Sequence, residues 1–209
     1  MQGLKLEDFG WHTLDRVDLE VPQGQCVGLH GPSGSGKSLM LRAIADLIPH
    51  GGRVWLDGTS CDNVPGHQWR RWVGLLPAEA AWWFDSVGEH FGEVPGAWLQ
   101  ALGLDPEVFT WQVRRLSSGE RQRLALLRLL ANSPRVLLLD EPTANLDAEN
   151  TLRVERLIDD YRRGHQPIVF WVSHDPAQLR RWCEPIFSIA ANRLKIDEMT
   201  VPAVGEKTP

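Results

Sequence analysis

The stretch Gly31-Pro32-Ser33-Gly34-Ser35-Gly36-Lys37-Ser38 constrains this chain more than any other feature. It matches the pattern G-x-x-x-x-G-K-[ST], whose glycines let backbone N–H groups turn inward around phosphate oxygens. Its setting also suits that task. A short apolar strand, Cys26–His30, precedes it, and an apolar helix, Ser38–Leu47, follows. The start of that helix adds partial positive charge. Lys37 is able to reach the β- and γ-phosphates of a nucleotide, and the Ser38 hydroxyl is able to ligate Mg²⁺. A Gly-rich turn that binds nothing would require neither the Lys nor the Ser.

A second segment completes the expected site. Val136-Leu137-Leu138-Leu139 is continuously apolar and ends in Asp140-Glu141. Two carboxylates at the end of a buried strand are costly unless a cation meets them. Asp140 is expected to hold Mg²⁺ through water, and Glu141, pointing elsewhere, to orient or polarise an attacking water. His174, just after the apolar run Ile168–Val172, is a candidate γ-phosphate sensor. Its bland alternative is a cap on the helix that starts at Pro176.

Around these segments the chain alternates strands and helices. Arg16–Val21, Cys26–His30, Arg53–Asp57, Val73–Leu76, Val136–Leu139, Ile168–Val172, Phe187–Ala190 and Arg193–Ile196 read as strands. Ser38–Leu47, Glu120–Ala131 and Ala148–Arg163 read as helices, the last stopped by Gly164. This alternation predicts an α/β fold with a mostly parallel sheet. The region from about 79 to 132 lacks a clear strand and reads as a small helical lobe. A single domain over 1–197 is expected, with a tail at 198–209.

Composition narrows the function. The 209 residues are 43% hydrophobic, ample for a core, and no apolar run approaches the roughly 20 residues of a membrane span. The first residues, Met1 to Phe9, lack a signal-peptide core. A net charge of −5 gives no general electrostatic footprint for nucleic acid. Cys26, Cys61 and Cys183 fit no zinc spacing and suggest free thiols in a reducing compartment.

These pieces together resemble the nucleotide-binding domain of ATP-binding cassette (ABC) transporters. The discriminating segment is Leu116-Ser117-Ser118-Gly119-Glu120, which looks like the LSGGQ signature and runs on into Arg121-Gln122-Arg123-Leu124-Ala125. The strand ending in Asp140-Glu141 follows, then Pro142-Thr143, a D-loop-like Ala144-Asn145-Leu146-Asp147, and Ser173-His174-Asp175 as the H-loop. The resemblance covers about Leu4 to Ile196. It implies a P-loop NTPase core, an N-terminal antiparallel β subdomain and a helical lobe. It further implies ATP with Mg²⁺, and two cassettes joined head to tail. Ser117 and Gly119 would then serve the partner's γ-phosphate, as a helix start is suited to do. Ser117-Ser118 would also cap that helix. Adenine would stack on an aromatic near the first strands; Phe9 aligns best, with Trp11 the rival.

The sequence departs from the family pattern in the loop after Val73-Gly74-Leu75-Leu76-Pro77, where Ala78 stands in place of the Q-loop glutamine. The signature carries Ser118 for Gly and Glu120 for Gln. Next to the altered loop, Trp82, Trp83 and Phe84 are either an anchor for a membrane subunit or the lobe's own core. The implied partners are a transmembrane permease subunit and a second cassette, with the chain peripheral on the cytoplasmic face of the membrane. The run from signature to His174 also resembles small iron or metal-export cassettes. A soluble ABC ATPase acting on nucleic acid or the ribosome is the alternative, but the long coiled-coil or zinc-bearing insertions of DNA-repair members are missing between Lys37 and Leu116, and ribosome-acting members carry two cassettes per chain where one is read here. A P-loop kinase would leave the signature and His174 unexplained.

Overall fold

The computed structural model describes residues 2–11 and 15–197. In chain order the strands are β1 (Gly3–Gly10), β2 (Val17–Pro22), β3 (Cys26–His30), β4 (Gly51–Leu56), β5 (Thr59–Ser60), β6 (Val73–Leu76), β7 (Val136–Asp140), β8 (Ile168–Val172), β9 (Ile186–Ala190) and β10 (Arg193–Ile196). The α-helices are α1 (Lys37–Ile44), α2 (Gly66–Trp72), α3 (Gly96–Ala101), α4 (Ser118–Leu130), α5 (Ala148–His165) and α6 (Pro176–Trp182). Short 3₁₀ turns fill much of the segment between β6 and α4.

The strands form two sheets. The smaller is antiparallel, in the order β2-β1-β4-β5. The larger has the order β10-β9-β3-β8-β7-β6 and is parallel except for the β9–β10 hairpin. Its central strands are covered on both faces, so their apolar runs divide by a period of two. In β7, Val136 and Leu138 join one core cluster while Leu137 and Leu139 join the other. In β8, Ile168, Phe170 and Val172 go one way and Val169 and Trp171 the other. The first cluster takes in α1 and the antiparallel sheet; the second takes in α3, α4 and α5.

Strands and helices read from the sequence reappear within two residues, except that α1 ends at Ile44, three residues before the expected Leu47, and some further exceptions are informative. β1 and α2 are not among those readings. Leu4 and Leu6 alternate as a strand requires, but the β1 register then shifts between Leu6 and Phe9, which blurs the period. In α2 only Trp69 is buried, its indole N–H donating to the Ile44 carbonyl at 3.0 Å. Gly164 does not stop α5. The helix runs through it to His165 and ends at Gln166 in the left-handed region, φ 53°. The expected tail, 198–209, lies outside the described residues.

Leu138 sits fully buried in the middle of β7, directly behind Asp140. Leu138→Ala should cost about 2–5 kcal/mol of stability, read as a lower urea midpoint with an unchanged slope.

Candidate nucleotide site

The parallel strands β3, β7 and β8 end at the same edge of the large sheet, and the chemistry collects there. From β3 the chain enters the phosphate loop. Gly31 adopts φ 143°, and a Cβ at that position would lie 2.4 Å from the Ile189 carbonyl, so no side chain fits. Gly36 caps α1 in the left-handed region with φ 101°. Pro32, Ser33 and Gly34 are exposed, and Ser38 is half-buried in the first turn of α1. Lys37 is buried. Its Nζ folds back to donate to the Gly31 and Pro32 carbonyls at 2.8 and 3.0 Å. Among the described residues the buried Ser35 hydroxyl has no hydrogen-bond partner. A donor-lined loop with an orphaned hydroxyl suits an arriving anion.

Asp140 closes β7 and is buried. Glu141 turns away from it through a left-handed backbone, φ 53°. Burial raises the Glu141 carboxyl above its ordinary value, and the neighbouring His174 imidazole opposes the shift. His174 Nε2 lies 3.2 Å from Glu141 Oε1, with the imidazole otherwise exposed. His174 does not cap α6. That role belongs to Asp175, whose Oδ1 accepts from the Ala177 N–H at 2.8 Å. The sequence alternative for His174 therefore falls away, and the structure brings it to Glu141.

The signature is laid out as a helix start. Ser117 is the N-cap of α4 and forms a full capping box with Glu120. The Glu120 carboxylate accepts from the Ser117 N–H at 2.8 Å and from the Ser117 hydroxyl at 2.7 Å. Its pKa is lowered, first by that hydroxyl. Glu at this position thus serves the cap and suits the positive end of the helix. Ser117 and Ser118 are exposed, and Gly119 is half-buried with its Cβ position 3.2 Å from Leu146 of the D-loop.

Two arginines in α4 are not marked by the sequence, because helical periodicity alone does not separate a buried cation from a solvated one. Arg123 is 8% exposed and donates to the Leu102 carbonyl and to Asn150 Oδ1, both at 2.6 Å. It ties the signature helix to the lobe and to the first turn of α5. Arg128 donates to the Ala81 carbonyl at 2.9 Å and lies over the rings of Trp82 and Trp83.

Phe9 needs correction as the adenine stacker. It is fully buried in the first core cluster, packed against Trp11 and His50. Trp11 is also buried in that cluster, 3% exposed, but it is the aromatic beside the phosphate loop, its Nε1 3.5 Å from where a Gly36 Cβ would stand. The position depends on the register shift in β1, which the sequence pattern does not display. Trp82, Trp83 and Phe84 divide as well. Trp82 packs on the second core cluster, whereas Trp83 and Phe84 are 63% and 46% exposed.

A phosphate loop, an acidic strand end, a histidine and a separate signature helix on one α/β core define a nucleotide-hydrolysing cassette. Residues 14–144 match the ABC transporter family, and the chain belongs to it. It is an ATPase of that class. Protein STAR1 of Oryza sativa subsp. japonica is 37% identical over 201 residues, covering 90% of this chain. This chain spans 58% of that rice protein. The aliphatic sulfonates import ATP-binding protein SsuB 1 of Nocardia farcinica is 36% identical over 212 residues, covering 98% of this chain and 83% of its own length. The phosphate import ATP-binding protein PstB of Aeropyrum pernix is 31% identical over 221 residues, covering 93% and 87%. Among solved structures, a bacterial Atm1-family ABC exporter with ATP bound superposes with TM-score 0.81 at 22% identity, over 93% of this chain and 38% of that one. The dimeric post-hydrolysis cassette MJ0796 with ADP and Pi superposes at 0.75 and 23% identity, over 95% and 100%. Likeness at that identity shows the fold.

Proposed function

We propose that this chain, as one cassette over 1–197 with a helical lobe at 79–132, energises transport through a separately encoded membrane subunit, two cassettes clasping ATP between them. The placement of the signature carries this reading. Ser117 and Ser118 stand exposed at a helix start, while the phosphate loop, Asp140, Glu141 and His174 gather around the ends of parallel strands. An exposed helix start offers donors to an anion brought by another subunit.

Each group then has a defined task. The backbone of Gly31–Ser38 cradles the phosphates, and Lys37 exchanges the Gly31 and Pro32 carbonyls for phosphate oxygens. Ser38 and Asp140 would hold Mg²⁺. They fit the ion because both offer hard oxygen, because α1 packs on β7, and because Mg²⁺ takes its remaining ligands from phosphate and water. Among the described residues no group of three or more His, Cys, Asp or Glu forms a metal cage, in keeping with an ion that arrives with the nucleotide. When bound, the ion supplies charge neutralisation on the phosphoryl group. Glu141 positions the attacking water and His174 steadies Glu141 beside the γ-phosphate. Ser117 and Gly119 reach the partner's nucleotide. Trp11, not Phe9, stacks on adenine.

The membrane subunit has a suitable seat. A cleft of about 800 Å³ between α2, the loop after β6 and α4 is lined by His67, Arg70, Arg71, Trp83 and Arg128. Ala78 and Glu79 are exposed on the β6 loop that borders it. An apolar segment carrying acidic residues suits this aromatic and basic lining. No helix among the described residues is long and apolar enough to cross a membrane, so work on a solute falls to a partner, with the chain peripheral on the cytoplasmic face. None of the three relatives named above is called an exporter, and the solute is set by the membrane subunit.

Three outcomes test this reading. Glu141→Gln should lower turnover by at least ~100-fold and yield an ATP-dependent dimer on size exclusion; a monomer with intact turnover removes Glu141 from its role. Both residues are buried, so Trp11→Ala and Phe9→Ala should each destabilise, by about 3–5 kcal/mol, but only Trp11→Ala should also raise the ATP Kd of the folded protein, roughly tenfold; nucleotide titration separates them. Trp83→Ala should reduce co-purification with the membrane subunit and leave the ATP Kd unchanged, and full retention of the subunit would move the contact elsewhere.

A further inference from the structure

On the far side of the large sheet from α1, two cysteines distant in sequence meet. Cys26 opens β3, and Cys183 is the residue at which α6 ends. Their Sγ atoms lie 3.2 Å apart and share a thiol hydrogen. The approach has a local cause. Gly28 of β3 has no side chain, and a Cβ there would meet Cys183 Cβ and Ile186 Cγ1, each at 3.1 Å. The bare strand lets the chain after α6 lie directly on β3. Backbone bonds hold it there: the Glu184 N–H donates to the Cys26 carbonyl at 2.8 Å, and the Gly28 N–H donates to the Pro185 carbonyl at 3.0 Å. The two thiols are therefore positioned by the framework on both sides, and bond formation requires the sulfurs to close by about 1 Å.

The pair is also reachable. Cys26 and Cys183 are 3% and 5% exposed, and both line a surface cleft of about 310 Å³. Arg162, Arg180 and Arg181 line the same cleft. Arg162 is engaged with the Trp182 carbonyl and Arg181 with buried Glu155. Cys183 itself is held as a thiol, first by its hydrogen bond with Cys26 and then by burial. Cys61, the third cysteine, belongs to the other core cluster.

We propose that Cys26 and Cys183 are a modification site, a dithiol that a small peroxide entering this cleft converts to an intramolecular disulfide. The Cys26 sulfur attacks one peroxide oxygen, the O–O bond breaks, and sulfenic acid and water form. The Cys183 sulfur then attacks the Cys26 sulfur, its S–O bond breaks, and the hydroxide leaves as water with the Cys183 proton. The two thiols are oxidised by two electrons, and one hydrogen peroxide is reduced to two waters. The product fastens the strand that feeds the phosphate loop to the end of the helix that begins after His174. A reducing compartment keeps the pair open, and dithiothreitol restores it.

The test uses the full chain with hydrogen peroxide as the probe. Free thiols counted after quenching and unfolding should fall from three to one. A mapped fragment should join Cys26 to Cys183, lighter than its reduced sum by two hydrogens, and Tm should rise by roughly 5 °C or more. Dithiothreitol should reverse all of this. Cys61→Ser should keep the response, whereas Cys26→Ser and Cys183→Ser should lose both the linked fragment and the Tm rise. Three thiols remaining at peroxide levels that oxidise the unfolded chain would overturn the proposal. So would sulfinic acid in place of the linked fragment, cross-links between chains, or a fall in Tm.

Discussion

Burial of β3, β7 and β8 on both faces governs everything else in this molecule. Strands enclosed in that way tolerate polar side chains only where they run out, and being parallel they run out together. The phosphate loop, Asp140, Glu141 and His174 are thus collected by hydrogen-bond register, with Asp140 paired to Val172 one step before Ser173 and His174. Positive φ at Glu141 then parts it from Asp140, so that two adjacent carboxyls face different tasks. The same edge receives the loop after β6, where Ala78 stands exposed beside the basic cleft.

α4 serves both ends of the molecule's work. Its first turn presents Ser117 through a capping box, and Arg123 and Arg128 reach inward while Arg121 stays exposed. Arg123 joins that first turn to the lobe and to the start of α5, and Arg128 holds the aromatic loop that borders the proposed seat for a membrane subunit. Ala78 lacks the side chain with which the family's Q-loop meets the nucleotide.

Much of the site was readable from residue order. The phosphate loop, the acidic strand end, the signature and the histidine are contiguous or near-contiguous motifs, and each depends on local backbone geometry that its own residues specify. Strand positions were readable for the same reason, since a strand covered on both faces is apolar throughout. What escaped involves contacts between distant segments. Phe9 and Trp11 are two residues apart, chemically alike as stackers and both buried, and only their contacts distinguish them, Trp11 being the one that packs beside Gly36. The division of Trp82 from Trp83 and Phe84 depends on how the loop lies against α4.

By itself the sequence determined that this chain binds a nucleoside triphosphate, that its sheet is largely parallel and that it carries an ABC signature, because those properties reside in short patterns with their own backbone demands. Tertiary structure alone decided which aromatic meets the phosphate loop, which arginines are structural, and that Cys26 lies against Cys183. Those outcomes are set by register and by which side chain is missing at a crossing, as at Gly28, and neither is encoded within any one segment.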